Sequence, residues 1–176
     1  HQAAVKMAME HLMSLGHRRI GFIGNTRPIH AGSARRDIGL QQRQIGFIKA
    51  AKELKLDIDE RWIFDLNIQQ YTPEPGEDFV SNEGRMAVQW MQSLDVQPTA
   101  LIGGIFRSAL GAIDEYRKMG IKVPQQRSVI GIGDREWCKF INPPLTNISN
   151  SLSKMGHWAA KRLIDRIENH KDKSQS

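Results

Sequence analysis

Residues 99–156 read TALIGGIFRSALGAIDEYRKMGIKVPQQRSVIGIGDREWCKFINPPLTNISNSLSKMG. Two short apolar runs, 100–102 and 129–132, flank an amphipathic run over 108–119. Both apolar runs have strand length. Between them Ala109, Ala112, Ile113 and Tyr116 recur at the i, i+3, i+4, i+7 period of a helix with one buried face. Strand, helix and strand in about thirty residues make a βαβ unit, which requires the two strands to be parallel. Gly120 suits a helix C-terminus and Pro124 the turn that follows. Ligands of such sheets sit beyond the carboxyl ends of the strands, so 103–107 and 133–137 border a candidate site.

Upstream, Val5, Ala8, Met9 and Leu12 have helical spacing, Gly16 stops that helix, and 20–24 is a short buried strand. A helix that opens an α/β chain needs a sheet to lie on, so the expectation is that something upstream has been cut off. Residues 25–41 carry Gly, Pro, Ser and basic residues without a period and read as a loop at the functional end of the strand. A second helix is expected over 42–54, with Arg43 in its first turn and Phe47, Ala50, Ala51 and Leu54 on one face. A strand follows at 62–66, then a loop over 67–78. A third helix is marked by Ala87, Trp90, Met91 and Leu94. After the βαβ unit, 145–149 reads as a short strand. Ser153 caps a last helix whose inner side would be Gly156, Ala159, Ala160, Leu163, Ile164 and Ile167. The pattern is a doubly wound parallel α/β sheet.

With 176 residues, 40% hydrophobic and 25% charged, the chain is neither disordered nor membranous. No apolar run approaches the roughly 20 residues of a membrane helix, so no membrane partner is expected. The net charge of +6 is dispersed, and a solvated basic surface explains it better than direct nucleic-acid binding. One cysteine, Cys138, rules out an internal disulfide and fits a reducing cytoplasm or an indifferent compartment.

Candidate chemistry is thin. His1, His11, His17, His30, His157 and His170 show no i, i+4 pair, so no metal site is expected. Cys138 follows Trp137 in a loop with no helix N-terminus to activate it, and no G-x-S-x-G elbow occurs. The 131–133 Gly-Ile-Gly lacks both a third glycine and a following lysine, so it reads as a tight strand exit and no nucleotide cofactor is expected. Four residues should meet in one crevice if the sheet is parallel: Arg43, Phe79, Phe106 and Asp134. An arginine offers a planar fork to hydroxyls or carboxylates, and an aromatic ring offers a face to a sugar or base. For Arg43 the pocket role is favoured over a surface role, for Phe79 pocket and core stand nearly even, and Phe106 reads rather as a core or interface ring. Asp134 could hold its own turn. An enzyme is not expected.

Several motifs resemble one family in its own order. Gly16-His17-Arg18-Arg19-Ile20, Arg43-Gln44-Ile45-Gly46-Phe47, Pro98-Thr99-Ala100, Ala109-Leu110-Gly111-Ala112, Gly120 to Pro124, Ser128 to Gly131, and Pro143-Pro144-Leu145-Thr146 are similar to those of the lactose/galactose-repressor family of bacterial transcription regulators. Met155-Gly156 and Ala159-Ala160 complete the series. The resemblance implies an effector-binding domain of the periplasmic-binding-protein-like type I fold, mostly the C-terminal lobe plus part of the N-terminal lobe. It implies 1–40 as a remnant of the N-terminal lobe, 41–144 as the C-terminal lobe, and 145–176 as a crossover strand and final helix with a polar tail. It implies a cytoplasmic homodimer, a small-molecule effector such as a sugar, and operator DNA bound through an N-terminal head that this chain lacks. A secreted solute-binding protein of the same fold is the alternative.

By the same resemblance Arg43 matches the family's ligand arginine and Phe79 its pocket aromatic. The family's usual Asn-Asp is Ile105-Phe106 here. Of its two usual aspartates, the one that holds ligand hydroxyls is Gly133, and the other is Asp134. Two polar anchors are therefore lost, which argues against an ordinary monosaccharide held in the ordinary way. The expected dimer surface takes in the 82–91 and 108–116 helices and the 136–141 loop, with Ser108, Leu110, Trp137, Phe140 and Ile141 contributing.

Overall fold

The structure is a computed structural model and describes residues 1–24, 38–65, 79–133, 136–149 and 151–173. Five α-helices and five strands lie among them: α1 (Gln2–Ser14), β1 (Ile20–Ile23), α2 (Ile38–Glu53), β2 (Ile63–Phe64), α3 (Phe79–Gln92), β3 (Ala100–Gly103), α4 (Phe106–Lys118), β4 (Ser128–Ile132), β5 (Thr146–Ile148) and α5 (Leu152–Lys173). The strands form one sheet in the order β2-β1-β3-β4-β5, and every neighbouring pair is parallel. The β3-α4-β4 unit is the one expected from residues 99–156.

Alternation along the strands builds two apolar layers. Ile20 and Phe22 of β1, Ala100 and Ile102 of β3, and Ile130 and Ile132 of β4 face α1 and α2, where Val5, Ala8, Met9, Leu12, Phe47, Ala50 and Ala51 meet them. Ile23, Leu101 and Val129 face α3 and α4, and pack against Ala87, Val88, Met91, Ala109, Ala112, Ile113 and Tyr116. Phe22 and Phe47 stack with ring centroids 5.2 Å apart.

Several expectations need correction. α1 has its sheet within this chain, since it packs on α2 and across β3, β4 and β5; the argument from an unpartnered opening helix does not hold. β1, which precedes residue 40, is hydrogen-bonded to β2 on one side and β3 on the other. α2 starts at Ile38, so Arg43 lies in its second turn. The strand expected over 62–66 is only two residues long, because a 3-10 turn over Glu60–Trp62 occupies its start. Trp90 is 47% exposed and donates its indole N–H to the Arg61 carbonyl at 3.1 Å; Val88 takes its place on the buried face of α3. Every described side chain from 152 to 168 is exposed, so the stripe expected to be the inner side of α5 is uncovered in the described chain.

At the amino edge of the sheet His17 pins two strands. Its Nδ1 lies 3.0 Å from Thr99 Oγ1 and its Nε2 2.9 Å from Ser128 Oγ. The Thr99 hydroxyl donates to the Arg19 carbonyl at 3.2 Å, so it accepts from Nδ1–H, which leaves Nε2 to accept from Ser128. Burial pulls the imidazole pKa below its ordinary 6.5. A pKa lower in the folded than in the unfolded chain makes the contribution complete above about 6.5 and lost as pH falls through the folded value. Melting temperature is therefore expected to drop more between about pH 7 and pH 5 in the wild type than in His17→Gln, whose amide stays neutral. Equal drops would contradict the pin.

Candidate effector crevice

The strand order reverses direction between β1 and β3, and in open α/β sheets ligands bind beyond the carboxyl ends of the strands at such a switch point. Here the chain leaves β1 toward α2 on one face and leaves β3 toward α4 on the other. The two exits are tied together, since Gly104 N donates to the Ile23 carbonyl at 2.6 Å and Gly24 N to the Phe64 carbonyl at 3.1 Å.

Arg43 sits over this point. Its guanidinium donates to the Gly104 carbonyl, bridging α2 to the end of β3. The side chain is half-buried, with a charged planar fork held at the switch point rather than spread over the outer surface of α2.

Phe106 opens α4 and is 8% exposed. It packs in the α3/α4 layer with Cys138 and Leu145. One edge of its ring borders Gly133: a Cβ built there would lie 3.5 Å from Phe106 Cδ1. Gly133 has φ +131°, a region that side-chain-bearing residues rarely enter. Backbone geometry therefore disfavours an aspartate at 133, and the ring lines the space beside it. Phe106 is thus a core residue with one ring edge beside Gly133.

The remaining predicted residues are placed less fully. Phe79 is the first residue of α3, and its side chain lies outside the described residues, as do Asp134, the Trp137 side chain and most of the basic 25–41 segment. Ser108 is fully buried and donates to the Ile105 carbonyl at 2.9 Å, so its side chain offers no surface to a partner. Leu110 and Ile141 are half-buried, and Phe140 is 78% exposed. Cys138 is a buried free thiol packed in the core. Among the described residues no group of three or more His, Cys, Asp or Glu could hold a metal ion, and no helix is long and apolar enough to cross a membrane.

Reading the sequence missed Glu83. This glutamate of α3 is 2% exposed, and its Oε1 has no hydrogen-bond partner. Burial, together with the nearby Asp65 carboxylate, pushes it up to about 8. Being raised above the unfolded value, it costs the fold little in acid and weighs against it increasingly as pH rises toward 8. The available signal was its spacing: Glu83 lies four residues before Ala87 and eight before Met91, in register with the apolar stripe of α3.

A model of the periplasmic binding protein-like domain matches residues 9–176. The chain belongs to this family. It is 35% identical over 166 residues to the HTH-type transcriptional repressor PurR of Glaesserella parasuis serovar 5 (strain SH0165), covering 94% of this chain and 43% of that protein. To the protein of the same description from Salmonella newport (strain SL254) it is 34% identical, covering 97% of this chain and 44% of that one. The chain thus spans under half the length of these relatives. Among solved structures, a LacI family transcriptional regulator from Mycobacterium smegmatis superposes with a TM-score of 0.71 at 25% identity, over 95% of this chain and 55% of that one. A regulatory protein of the LacI family from Chloroflexus aggregans shares the fold with a TM-score of 0.75 at 22% identity, over 95% of this chain and 53% of that one. The periplasmic-binding-protein-like α/β fold and the kinship with this repressor family, both expected from the motifs, therefore hold.

Proposed function

We propose that this periplasmic-binding-protein-like chain is the effector-binding part of a cytoplasmic DNA-binding transcription repressor. A small metabolite enters the crevice at the β1/β3 switch point and is gripped by Arg43, with Phe79 and Phe106 beside it and Asp134 at the end of β4. The observation that carries this reading is the Arg43 guanidinium held against the Gly104 carbonyl at the end of β3. A charged fork fixed at a switch point is suited to a polar ligand and needs little reorganisation to bind one.

No catalytic role and no cofactor enter the proposal. Operator DNA would be contacted by a head outside this chain, as in relatives described as HTH-type repressors. That description favours a repressor over a secreted solute-binding protein. Two copies would pair through the outer faces of α3 and α4 and the 136–141 segment, with Leu110, Trp137, Phe140 and Ile141 at the contact and Ser108 supporting it from beneath. β5 and α5 would form the crossover toward a second lobe. Effector binding would shift the relative placement of lobes only by as much as its affinity differs between the two states.

A thermal-shift screen of sugars, nucleobases and phosphorylated metabolites tests the reading, because a ligand that binds the native state raises its melting temperature. At least one compound at a hundredfold excess over its Kd is expected to stabilise the chain by about 2.7 kcal/mol. A screen in which none of these classes moves the transition would count against it.

A further inference from the structure

The sheet-facing stripe of α3 runs Glu83, Ala87, Met91, one residue per turn. α3 joins two parallel strands, so it runs back antiparallel to them. Its register is fixed by the apolar members: Met91 Sδ lies 3.2 Å from where a Cβ on Gly21 would stand, and Ala87 shares a buried cluster with Ile23. One more turn, about 5.4 Å, carries the stripe beyond Ile23 to the carboxyl ends of β1 and β2. Glu83 stands there, within electrostatic reach of the carboxylate of Asp65, which directly follows β2. A buried acid with an oxygen that accepts no hydrogen bond is a cost an apolar residue would avoid.

We infer that Glu83, backed by Asp65, is a ligand-recognising group of the crevice and takes an effector group that carries N–H donors, such as an amino or amidine group. A cationic or N–H-rich group satisfies the orphaned oxygen and favours the ionised form of Glu83, which burial and the Asp65 carboxylate otherwise disfavour. A sugar hydroxyl donates one proton and brings no positive charge to set against the acids. The inference rests on the effector-crevice reading and narrows it: the acid missing at Gly133 is offset by acids on the opposite side of the switch point.

Isothermal titration of the full chain with two matched pairs of probes, adenine against purine and glucosamine against glucose, isolates one amino group per pair. In at least one pair the amino-bearing member is expected to bind tenfold or more tightly than its partner. Glu83→Gln should abolish that ratio and leave the amino-free partner within about twofold, whereas a merely structural role would weaken both members alike. Asp65→Asn should cut the ratio several-fold and keeps the test open if Glu83→Gln fails to fold. Arg43→Ala should weaken both members. Equal binding within both pairs, or a ratio that survives Glu83→Gln and Asp65→Asn, overturns the inference and leaves the crevice standing. Failure of all four probes to bind, or binding indifferent to Arg43→Ala, overturns the crevice and the inference together.

Discussion

Gly111→Ala is expected to destabilise the chain by about 3 kcal/mol or more, a large share of the stability of an ordinary domain. α3 and α4 cross where each carries a glycine. A Cβ on Gly111 would stand 1.8 Å from the Ser81 carbonyl oxygen, and a Cβ on Gly84 would stand 2.0 Å from the Ser108 carbonyl oxygen. In both cases the obstacle is the backbone of the facing helix, which cannot swing aside as a flexible side chain would. An isolated helix prefers alanine to glycine by about 1 kcal/mol, so any gain in helix propensity is outweighed by the clash. Chemical denaturation is expected to show a large drop in midpoint for Gly111→Ala and no drop, but a small rise from helix propensity, for Gly156→Ala, where a Cβ on α5 would meet nothing within 4 Å. Similar midpoints for the two would contradict the close crossing of α3 and α4.

Arg43→Ala is expected to abolish the thermal shift produced by any effector found in the screen, a loss of a hundredfold or more in affinity if the guanidinium makes a charged, two-pronged contact. The substitution also removes a donor from the Gly104 carbonyl, so some loss of stability without ligand is expected, about 1–3 kcal/mol. Arg43→Lys separates the two effects. It keeps the charge and can reach the carbonyl, but it lacks the planar fork, so stability should recover while affinity does not. An Arg43→Ala chain that titrates as the wild type does would remove Arg43 from the site.

Much of the fold was legible because residues 100–102 and 129–132 are uninterrupted apolar runs around a helix with one clear face, which leaves a parallel βαβ unit as the economical reading. Where signals were weaker, boundaries moved. Ile38, Gly39 and Leu40 carry neither a capping residue nor a period, so the sequence signals α2 four residues later than its start. The opening helix looked unpartnered because periodicity shows that a face is buried and not by what; here later strands return beneath it. α5 shows the converse, since its stripe predicts burial that the described chain does not supply. At the site, Arg43 could be placed from its position near the end of β1, yet its contact with Gly104 joins residues 61 apart in sequence. Glu83 went unnoticed because the face of α3 was traced through its apolar members alone. An acid in register with such a stripe is the local mismatch between sequence and fold that tends to mark a functional position.

The claim on which the account stands is that ligands enter at the carboxyl edge of the β1/β3 switch point. Backbone amide hydrogen exchange, with and without a saturating effector from the screen, tests it residue by residue. The account predicts added protection at Gly24, at Gly104 and Ile105, and in the first turns of α2 and α3, with none at Thr99 and Ser128 on the amino edge. Protection concentrated at the amino edge, or along the exposed face of α5, would contradict it.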